Sequence, residues 1–293
     1  MPTEGPLLDA GFARELEALR RRMLVRARSG AGGERLARRK GGSAEFLEHR
    51  PYAPGDDLRR IDWLAFARTG EPVLKLFRAE EDVVVRLVID ASASLDGGTP
   101  SKLLVAKRLA ASVAYMALTG MERAQVVVAQ DGLSRTGEPR RGRASLPAIL
   151  RDLDGLEGKG GTDLAAAIDG TVLRAERPGM IVLVSDFFDP GPFEAAVTRA
   201  ASAGHDLALV QVLSPEEIEP PYEGDLTLED AETGALVEVT IDARAIEAYV
   251  ERLNRLVGSL RAMARRNRAA YVRVQTTEPL LGAVRRFVAR SID

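Results

Sequence analysis

The sequence predicts a doubly wound α/β domain with a mostly parallel sheet, preceded by a small N-terminal helical and β-rich extension. From residue 82 onward, apolar segments of strand length alternate with amphipathic segments of helix length. This alternation is typical of a parallel sheet covered by helices on both faces. The chain has 293 residues, enough for one large core and a smaller attachment. We therefore divide it into an extension at 1–81 and an α/β domain at 82–293.

The extension begins with a helix and a basic segment. Asp9 is placed to cap a helix, and the apolar residues on one face of that helix are Phe12, Leu16, Leu19 and Met23. Basic residues dominate from Arg20 to Lys40, and the loop 29–42 contains the sequence SGAGG. We interpret this segment as a solvated helix end and a flexible loop rather than a phosphate-binding patch, because SGAGG interrupts the basic run. No aromatic residues for base stacking are interleaved, which further weakens a nucleic-acid role.

The rest of the extension contains two strand-like segments, near Glu45–Arg50 and Val73–Arg78, around a turn-rich centre. This centre has the sequence RPYAPGDDLRRIDW. We interpret it as a rigid turn that Trp63 anchors, rather than as a direct partner surface.

The α/β domain is predicted to contain five strands and six helices. The strands are Val83–Ile89, Ala124–Gly132, GMIVLVSDFFD (179–189), DLALVQVLSP (206–215) and AYVRVQT (270–276). The helices are Ser101–Thr119, Leu146–Leu153, one beginning at Asp163, Phe193–Ala203, a long one with an apolar stripe from Ile246 to Met263, and Leu280–Val288. An inserted hairpin near 225–240 interrupts the alternation, and we expect it to pair with the strands of the extension.

Composition excludes several classes of function. The chain has no cysteine, so disulfides, thiolate metal sites and cysteine nucleophiles are excluded. A net charge of −2 gives no global attraction to nucleic acid or to an anionic membrane. No apolar stretch is long enough for a membrane span, and the N-terminus lacks the apolar core of a signal peptide. We expect a cytoplasmic protein without a membrane span.

Hard-oxygen side chains follow three predicted elements at the same edge of the sheet. They lie in DASAS after the first strand, in GGTD at the start of a helix and in SDFFD after the third strand. The carboxyl ends of parallel strands meet at one edge, where ligands bind. Carboxylate and hydroxyl oxygens suit Mg²⁺, with Mn²⁺ or Ca²⁺ as alternatives. The predicted metal ligands are Asp90, Ser92, Ser94, Thr162 and Asp186.

These motifs carry a family resemblance. DASAS, GGTD and VSDFFD resemble the D-x-S-x-S, threonine and aspartate elements of the metal-ion-dependent adhesion site (MIDAS) in von Willebrand factor A domains. The upstream segment EFLEHRPYAPGDDLRRIDWLAFARTGEPVLKLFRAEED resembles the signature of the bacterial family called domain of unknown function 58, as does EDAETGALVEV. The resemblance implies a von Willebrand factor A-like, broadly Rossmann-like fold from about residue 82.

The family resemblance also implies a function. It suggests a non-catalytic, chaperone-like protein-binding module that acts with a MoxR-type AAA+ ATPase in the assembly or maturation of client proteins. The partner, whether the ATPase or a client, would offer a Glu or Asp to the metal. Many relatives carry N-terminal membrane helices, and we do not carry membrane tethering over to this chain.

Three alternatives stay open at this point, and a fourth fails. The Asp and Ser side chains of DASAS could serve only as helix caps and turn formers. A Mg²⁺-dependent hydrolase or phosphatase could use the same oxygen ligands, with Asp163 or Asp189 as base or nucleophile. An RNA-associated protein could use the Arg20–Lys40 run, although nucleic acid is not expected. A nucleotide loop at GKGGTD fails the Walker pattern, because Lys159 precedes the glycines. His205, at a helix-to-strand turn, is expected to be a surface or capping residue.

Overall fold

The computed structural model describes most of the chain, in two compact units. The described ranges are residues 5–30, 44–54, 56–79, 83–131, 133–188 and 193–290. One unit comprises residues 1–27 and 83–293, and the other comprises residues 28–82.

The first helix differs from its predicted place in the extension. Helix α1 (Ala10–Gly30) is capped as expected, because the Asp9 carboxylate accepts the Phe12 N–H at 2.8 Å. Its residue Leu16 is fully buried in the same apolar cluster as the α/β sheet. Burial of this side chain therefore assigns the first helix to the α/β unit. The predicted basic loop falls largely on residues 31–43, outside the described ranges.

The smaller unit is a β-hairpin with a short helix between its strands. Strands β1 (Ala44–Pro51) and β2 (Val73–Ala79) pair antiparallel around helix α2 (Trp63–Thr69). The Asp62 carboxylate caps α2 by accepting the N–H groups of Leu64 and Ala65, each at 3.1 Å. The prediction that Trp63 anchors this turn was wrong, because its side chain is 60% exposed. The cap, rather than an aromatic anchor, fixes where the helix begins.

The remaining elements all lie in the α/β unit. Its strands are β3 (Val84–Asp90), β4 (Arg123–Gln130), β5 (Leu133–Thr136), β6 (Arg140–Arg141), β7 (Met180–Ser185), β8 (Asp206–Leu213), β9 (Gly224–Glu229), β10 (Leu236–Ile241) and β11 (Ala270–Gln275). Its further helices are α3 (Lys102–Thr119), α4 (Leu146–Asp154), α5 (Leu164–Arg174), α6 (Phe193–Ser202), α7 (Pro215–Ile218), α8 (Ala243–Arg266) and α9 (Leu280–Arg290).

Seven strands form the central sheet. The order is β11-β8-β7-β3-β4-β5, and β6 also pairs with β4. Strands β3, β4, β7, β8 and β11 pair in parallel, which confirms the doubly wound, mostly parallel fold class. Strands β5 and β6 turn back antiparallel on β4, which the sequence did not predict. The chain runs from β3 outward to β4 and then crosses to β7 on the other side of β3. The carboxyl ends of β3 and β7 therefore mark the switch in strand order, where ligands bind in such sheets.

The inserted hairpin is present but its predicted partner was wrong. Strands β9 and β10 pair with each other as a separate two-stranded sheet, and β1 and β2 form another. In this ladder, Gly224 lies opposite Ile241 at one end and Glu229 lies opposite Leu236 at the other. Neither strand contains a buried residue. The hairpin therefore satisfies its backbone hydrogen bonds locally rather than by joining another sheet.

Helices cover both faces of the sheet, as the continuous apolar strands predict. In β3, Leu87 and Ile89 belong to one apolar cluster together with residues of α3, α4 and α9. Val88 belongs to the second cluster, which contains residues of α5, α6 and α8. Successive strand residues point to opposite faces of the sheet, so one strand contributes side chains to both apolar clusters.

His205 follows α6 at the predicted turn but is buried, with 7% exposure, so the expectation of a surface position was wrong. Its Nδ1 atom accepts the Gly179 N–H at 3.2 Å, and this bond ties the turn to the residue before β7. Within the described ranges, every helix is too short or too polar to cross a lipid bilayer.

Candidate metal site

The loop after β3 is shaped by the carboxylate that ends the strand. Asp90 is buried, and its Oδ1 atom accepts the Ser92 N–H at 3.0 Å. This local turn is one that Asp side chains favour. The chain then enters a short 3-10 helix, Ala93–Asp96, and Ser92 makes no side-chain capping bond to it. The Ser92 hydroxyl instead lies 3.0 Å from the Ser94 hydroxyl. Capping alone therefore does not account for the two serine side chains.

Two hydroxyl–carboxylate bonds join the ends of β3 and β7. The Ser94 hydroxyl donates to Asp186 Oδ2 at 3.0 Å. In the opposite direction, the Ser185 hydroxyl donates to Asp90 Oδ2 at 2.6 Å. Four of the predicted ligands, at positions 90, 92, 94 and 186, thus lie in one continuous polar network. Ser185 belongs to this network and was missed by sequence reasoning, although it stands next to Asp186 at the end of an apolar strand.

The glycine-rich segment lies directly against the β3 loop. The Ala93 N–H donates to the Gly160 carbonyl at 2.9 Å, and the Lys159 N–H donates to the Ala91 carbonyl at 3.0 Å. The next side chain, Thr162, has a buried hydroxyl with no hydrogen-bond partner among the described residues. A buried hydroxyl without a partner is costly, and a bound ion or water would remove that cost. Thr162 therefore follows a segment that is bonded to the β3 loop, but among the described residues no hydrogen bond joins its hydroxyl to the network.

A buried lysine also belongs to the site and was not predicted from the sequence. Lys102 Nζ donates to Asp186 Oδ2 at 2.7 Å and also pairs with Glu217. Burial alone would lower the Lys102 pKa, but the two carboxylates together raise it above its ordinary value. A sequence signal existed, because a basic residue in the first turn of a helix opposes the helix dipole. Such a position indicates that a nearby carboxylate compensates the charge.

Burial is the main influence on the Asp90 carboxyl group. Burial raises the Asp90 pKa, the hydrogen bonds from Ser185 and Ser92 lower it, and the Asp186 charge raises it again. The net shift is upward, so the ionised carboxylate is disfavoured by its surroundings. A cation between these side chains would offset that cost.

The donor set fits a hard divalent cation. Within the described part of the chain, no group of three or more His, Asp and Glu side chains could hold a metal ion. A metal at this edge would therefore depend on hydroxyl oxygens as well as on Asp90 and Asp186. Mg²⁺ accepts such oxygen donors and retains water in its remaining positions. The orphaned Thr162 hydroxyl and the paired Ser92 and Ser94 hydroxyls are donors of this kind.

Comparison with known proteins identifies the family. The family model described as "Protein of unknown function DUF58" matches residues 48–256. The chain belongs to this family. The resemblance of the signature segment and of EDAETGALVEV to the DUF58 family is thereby confirmed. The association with MoxR-type ATPases is not tested by this match and stays a prediction.

A mycobacterial relative and two solved structures are similar to this DUF58 chain. The uncharacterized protein Mb1516 of Mycobacterium bovis is 36% identical over 220 residues, which cover 72% of this chain and 68% of the relative. The conserved hypothetical protein BatB from Bacteroides thetaiotaomicron is 18% identical, with a TM-score of 0.44 over 72% of this chain and 98% of that chain. The von Willebrand factor type A structure from Catenulispora acidiphila is also 18% identical, with a TM-score of 0.43 over 75% of this chain and 45% of that chain.

The hydrolase alternative depends on Asp163 or Asp189. Asp163 is exposed, and its carboxylate caps α5 by accepting the Ala166 N–H at 2.8 Å. Asp189 lies outside the described residues. The structure thus gives Asp163 a structural role in this DUF58 protein, and the hydrolase alternative gains no support from that residue.

Proposed function

We propose that this DUF58 protein is a non-catalytic protein-binding module whose contact with its partner depends on a divalent cation. Mg²⁺ is the proposed ion, with Mn²⁺ or Ca²⁺ as alternatives. The observation that supports the proposal most directly is the hydrogen bond from Ser94 to Asp186, which joins two loops that are remote in sequence. The residues proposed to hold the ion are Asp90, Ser92, Ser94, Thr162 and Asp186.

Each side chain around the site has a separate task in this proposal. Ser92 and Ser94 present their hydroxyl oxygens side by side, and Ser185 holds Asp90 in place through its 2.6 Å bond. Lys102 balances part of the negative charge of Asp186. When bound, the ion would supply a coordination position that an acidic side chain of another protein can occupy.

The proposed partner is a MoxR-type AAA+ ATPase or one of its client proteins, which would offer a Glu or Asp. The corresponding process is the assembly or maturation of client proteins in the cytoplasm. Membership of the DUF58 family supports this part of the proposal, because the association with such ATPases is what the family resemblance implies. Fold alone would not specify a partner.

The test is a paired measurement on Ser92→Ala plus Ser94→Ala. We expect this double variant to stay folded, to lose Mg²⁺ binding in isothermal titration, and to lose Mg²⁺-dependent capture of its partner from native lysate. The matched control is Ser145→Ala plus Ser259→Ala, because both hydroxyls are bonded to main-chain carbonyls on the α/β unit. Capture that is insensitive to chelator, or equal in the wild type and the Ser92/Ser94 variant, would overturn the proposal.

A further inference from the structure

One edge of the central sheet lies along β11. Among the described strands, β11 pairs only with β8. The Thr276 N–H, directly after β11, donates to the Leu213 carbonyl at the end of β8. Because the main-chain groups of successive residues point to opposite sides of a strand, Tyr271, Arg273 and Gln275 direct theirs away from β8. Such a row of main-chain groups is where a further strand can pair.

Two arginines of α9 occupy this row. Arg290 Nη1 donates to the Tyr271 carbonyl at 3.3 Å. One position along the row, Arg286 Nη2 donates to the Arg273 carbonyl at 3.2 Å. Both acceptors are carbonyls to which the N–H groups of an added strand would bind. The arginine side chains therefore take the place of a neighbouring strand at two successive outward positions.

Glu278 bonds to the third outward residue and to one of the arginines. Its Oε1 atom accepts the Gln275 N–H at 3.0 Å and Arg286 Nη2 at 2.5 Å. The Arg286 and Glu278 side chains are 45% and 21% exposed, so the ion pair itself stabilises the fold little. Its effect is geometric, because it holds the Arg286 guanidinium group against β11.

The dimensions of α9 and β11 account for this match. Arg286 and Arg290 are four residues apart, which corresponds to about 6 Å along a helix. Tyr271 and Arg273 are two residues apart, which corresponds to about 6.6 Å along a strand. Phe287 of α9 is buried in the same apolar cluster as residues of β11, so the helix is held beside the edge. The two arginines are therefore in register with two consecutive outward carbonyls.

The charge of this edge disfavours a second copy of the chain. The Arg273 side chain is exposed on β11 itself, as are Arg286 and Arg290 on α9. Burial raises the Tyr271 pKa, and the charges of Arg261, Arg273 and Arg290 oppose that rise, so these cations act together at one place on the edge. Two copies paired along β11 would bring two such groups together, and like charges directly opposite each other destabilise a strand pair.

We propose that Arg286 and Arg290 close the β11 edge in place of a further strand, and that this closure keeps two copies of the chain from pairing along β11. The occupant that the closure excludes is a second copy of this chain. The inference does not involve the candidate metal site, and it assigns α9 a role beyond its contribution to the core.

The experiment measures self-association of the full chain by sedimentation velocity. The double variant Arg286→Ala plus Arg290→Ala frees the two carbonyls and removes two like charges. We expect it to form dimers at concentrations at least about tenfold lower than those at which the wild type first associates. Hydrogen exchange at the Arg273 N–H should also slow in the dimer, because that outward group becomes paired.

The matched control is Arg252→Ala plus Arg285→Ala. Both side chains are exposed, on α8 and α9, and neither has an ion pair or hydrogen bond with another described residue. This control loses the same charge as the double variant but leaves the β11 carbonyls covered. It should therefore associate no more strongly than the wild type.

A further substitution tests where the dimer forms. Proline is tolerated on an edge strand where the N–H would point away from the sheet. Arg273→Pro added to the double variant removes the outward N–H and should restore the monomer. The inference is overturned if the folded double variant associates no more than the control, or if its dimer survives Arg273→Pro. If circular dichroism shows that the double variant is unfolded, Arg290→Ala alone takes its place in the same comparison, because it removes one exposed guanidinium group and leaves the pair of Arg286 and Glu278 intact.

Discussion

Lys102 Nζ lies 2.7 Å from Asp186 Oδ2, and the two side chains are only 3% and 4% exposed. The lysine begins α3 and the aspartate follows β7, so this buried ion pair joins a helix start to a strand end. Removal of one partner from such a pair leaves a buried charge without compensation, which costs more than the pair itself contributes.

We therefore expect Lys102→Met to lower the free energy of unfolding by about 3 kcal/mol. Methionine keeps the length and much of the volume of the side chain but leaves Asp186 and Glu217 without the ammonium group. Urea-induced unfolding in the presence of chelator measures the change. The control is Lys107→Met on the same helix, whose amine donates to the Asp154 carbonyl at an exposed position and should cost less than about 1 kcal/mol. Equal unfolding midpoints for the two variants would contradict the prediction.

Substitution of Thr162 should separate stability from metal binding. In chelator, Thr162→Val is expected to unfold at the same free energy as the wild type or up to about 1 kcal/mol higher, because the lost hydroxyl is buried and has no partner among the residues that the structure describes. With Mg²⁺, the variant should gain less thermal stability than the wild type. Thermal melts with chelator and with Mg²⁺ measure both effects.

The matched control for Thr162 is Thr171→Val. The Thr171 hydroxyl donates to the Ala167 carbonyl at 2.7 Å, so its loss should cost about 1 kcal/mol. Mg²⁺ should stabilise this control as much as the wild type. A Thr162→Val variant that loses stability in chelator would show that the hydroxyl has a structural partner.

The glycine at position 160 should be intolerant of a side chain. Its φ is 59°, and a Cβ atom there would lie 1.6 Å from Asp131 Oδ1. We expect Gly160→Ala to lower the free energy of unfolding by about 1–2 kcal/mol from backbone strain, because the exposed Asp131 side chain can rotate away from the new methyl group. Gly258→Ala is the control, since its site in α8 is open, and it should raise stability by about 1 kcal/mol. A neutral Gly160→Ala in denaturant unfolding would contradict the left-handed backbone at this position.

Stability should fall in mild acid because of His205. Burial lowers the His205 pKa in the folded protein, and the nearby Arg86 charge lowers it further. As pH decreases, the unfolded chain therefore binds a proton at His205 before the folded protein does. The stability contributed by neutral, buried His205 is present above about pH 6.5 and is lost as pH falls from there toward the lower folded pKa. Urea midpoints between pH 7.5 and 5.5 should decrease less in His205→Gln than in the wild type. If the urea midpoint falls equally with pH in the two proteins, the effect does not come from His205.

The fold could be predicted from sequence where a residue pattern is compatible with only one type of element, as in the continuous apolar strands. The apolar run that forms β3 is too continuous for an amphipathic element, and Asp90 and Asp186 stand at the ends of such runs. Strand β5 could not be predicted in the same way, because four residues that pair antiparallel carry too little periodicity. The partner of the hairpin was predicted wrongly, since strand pairing over long sequence distances depends on tertiary contacts rather than on local pattern.

Of the side chains that form the candidate site, the sequence predicted only oxygen-bearing side chains of the DASAS, GGTD and SDFFD motifs. Asp90, Ser92, Ser94 and Asp186 form a recognisable motif, and the structure brings these four into one network. Lys102 and Ser185 contribute through packing of α3 and β7, which a linear sequence does not display. The burial of His205 likewise depends on its bond to Gly179, a residue that lies far away in sequence.

The exposed hairpin has a consequence for the evolution of the family. Because no residue of β9 or β10 is buried, changes in their length or sequence would leave the folding of the sheet almost unaffected. Homologues can therefore diversify this arm without a compensating change in the core.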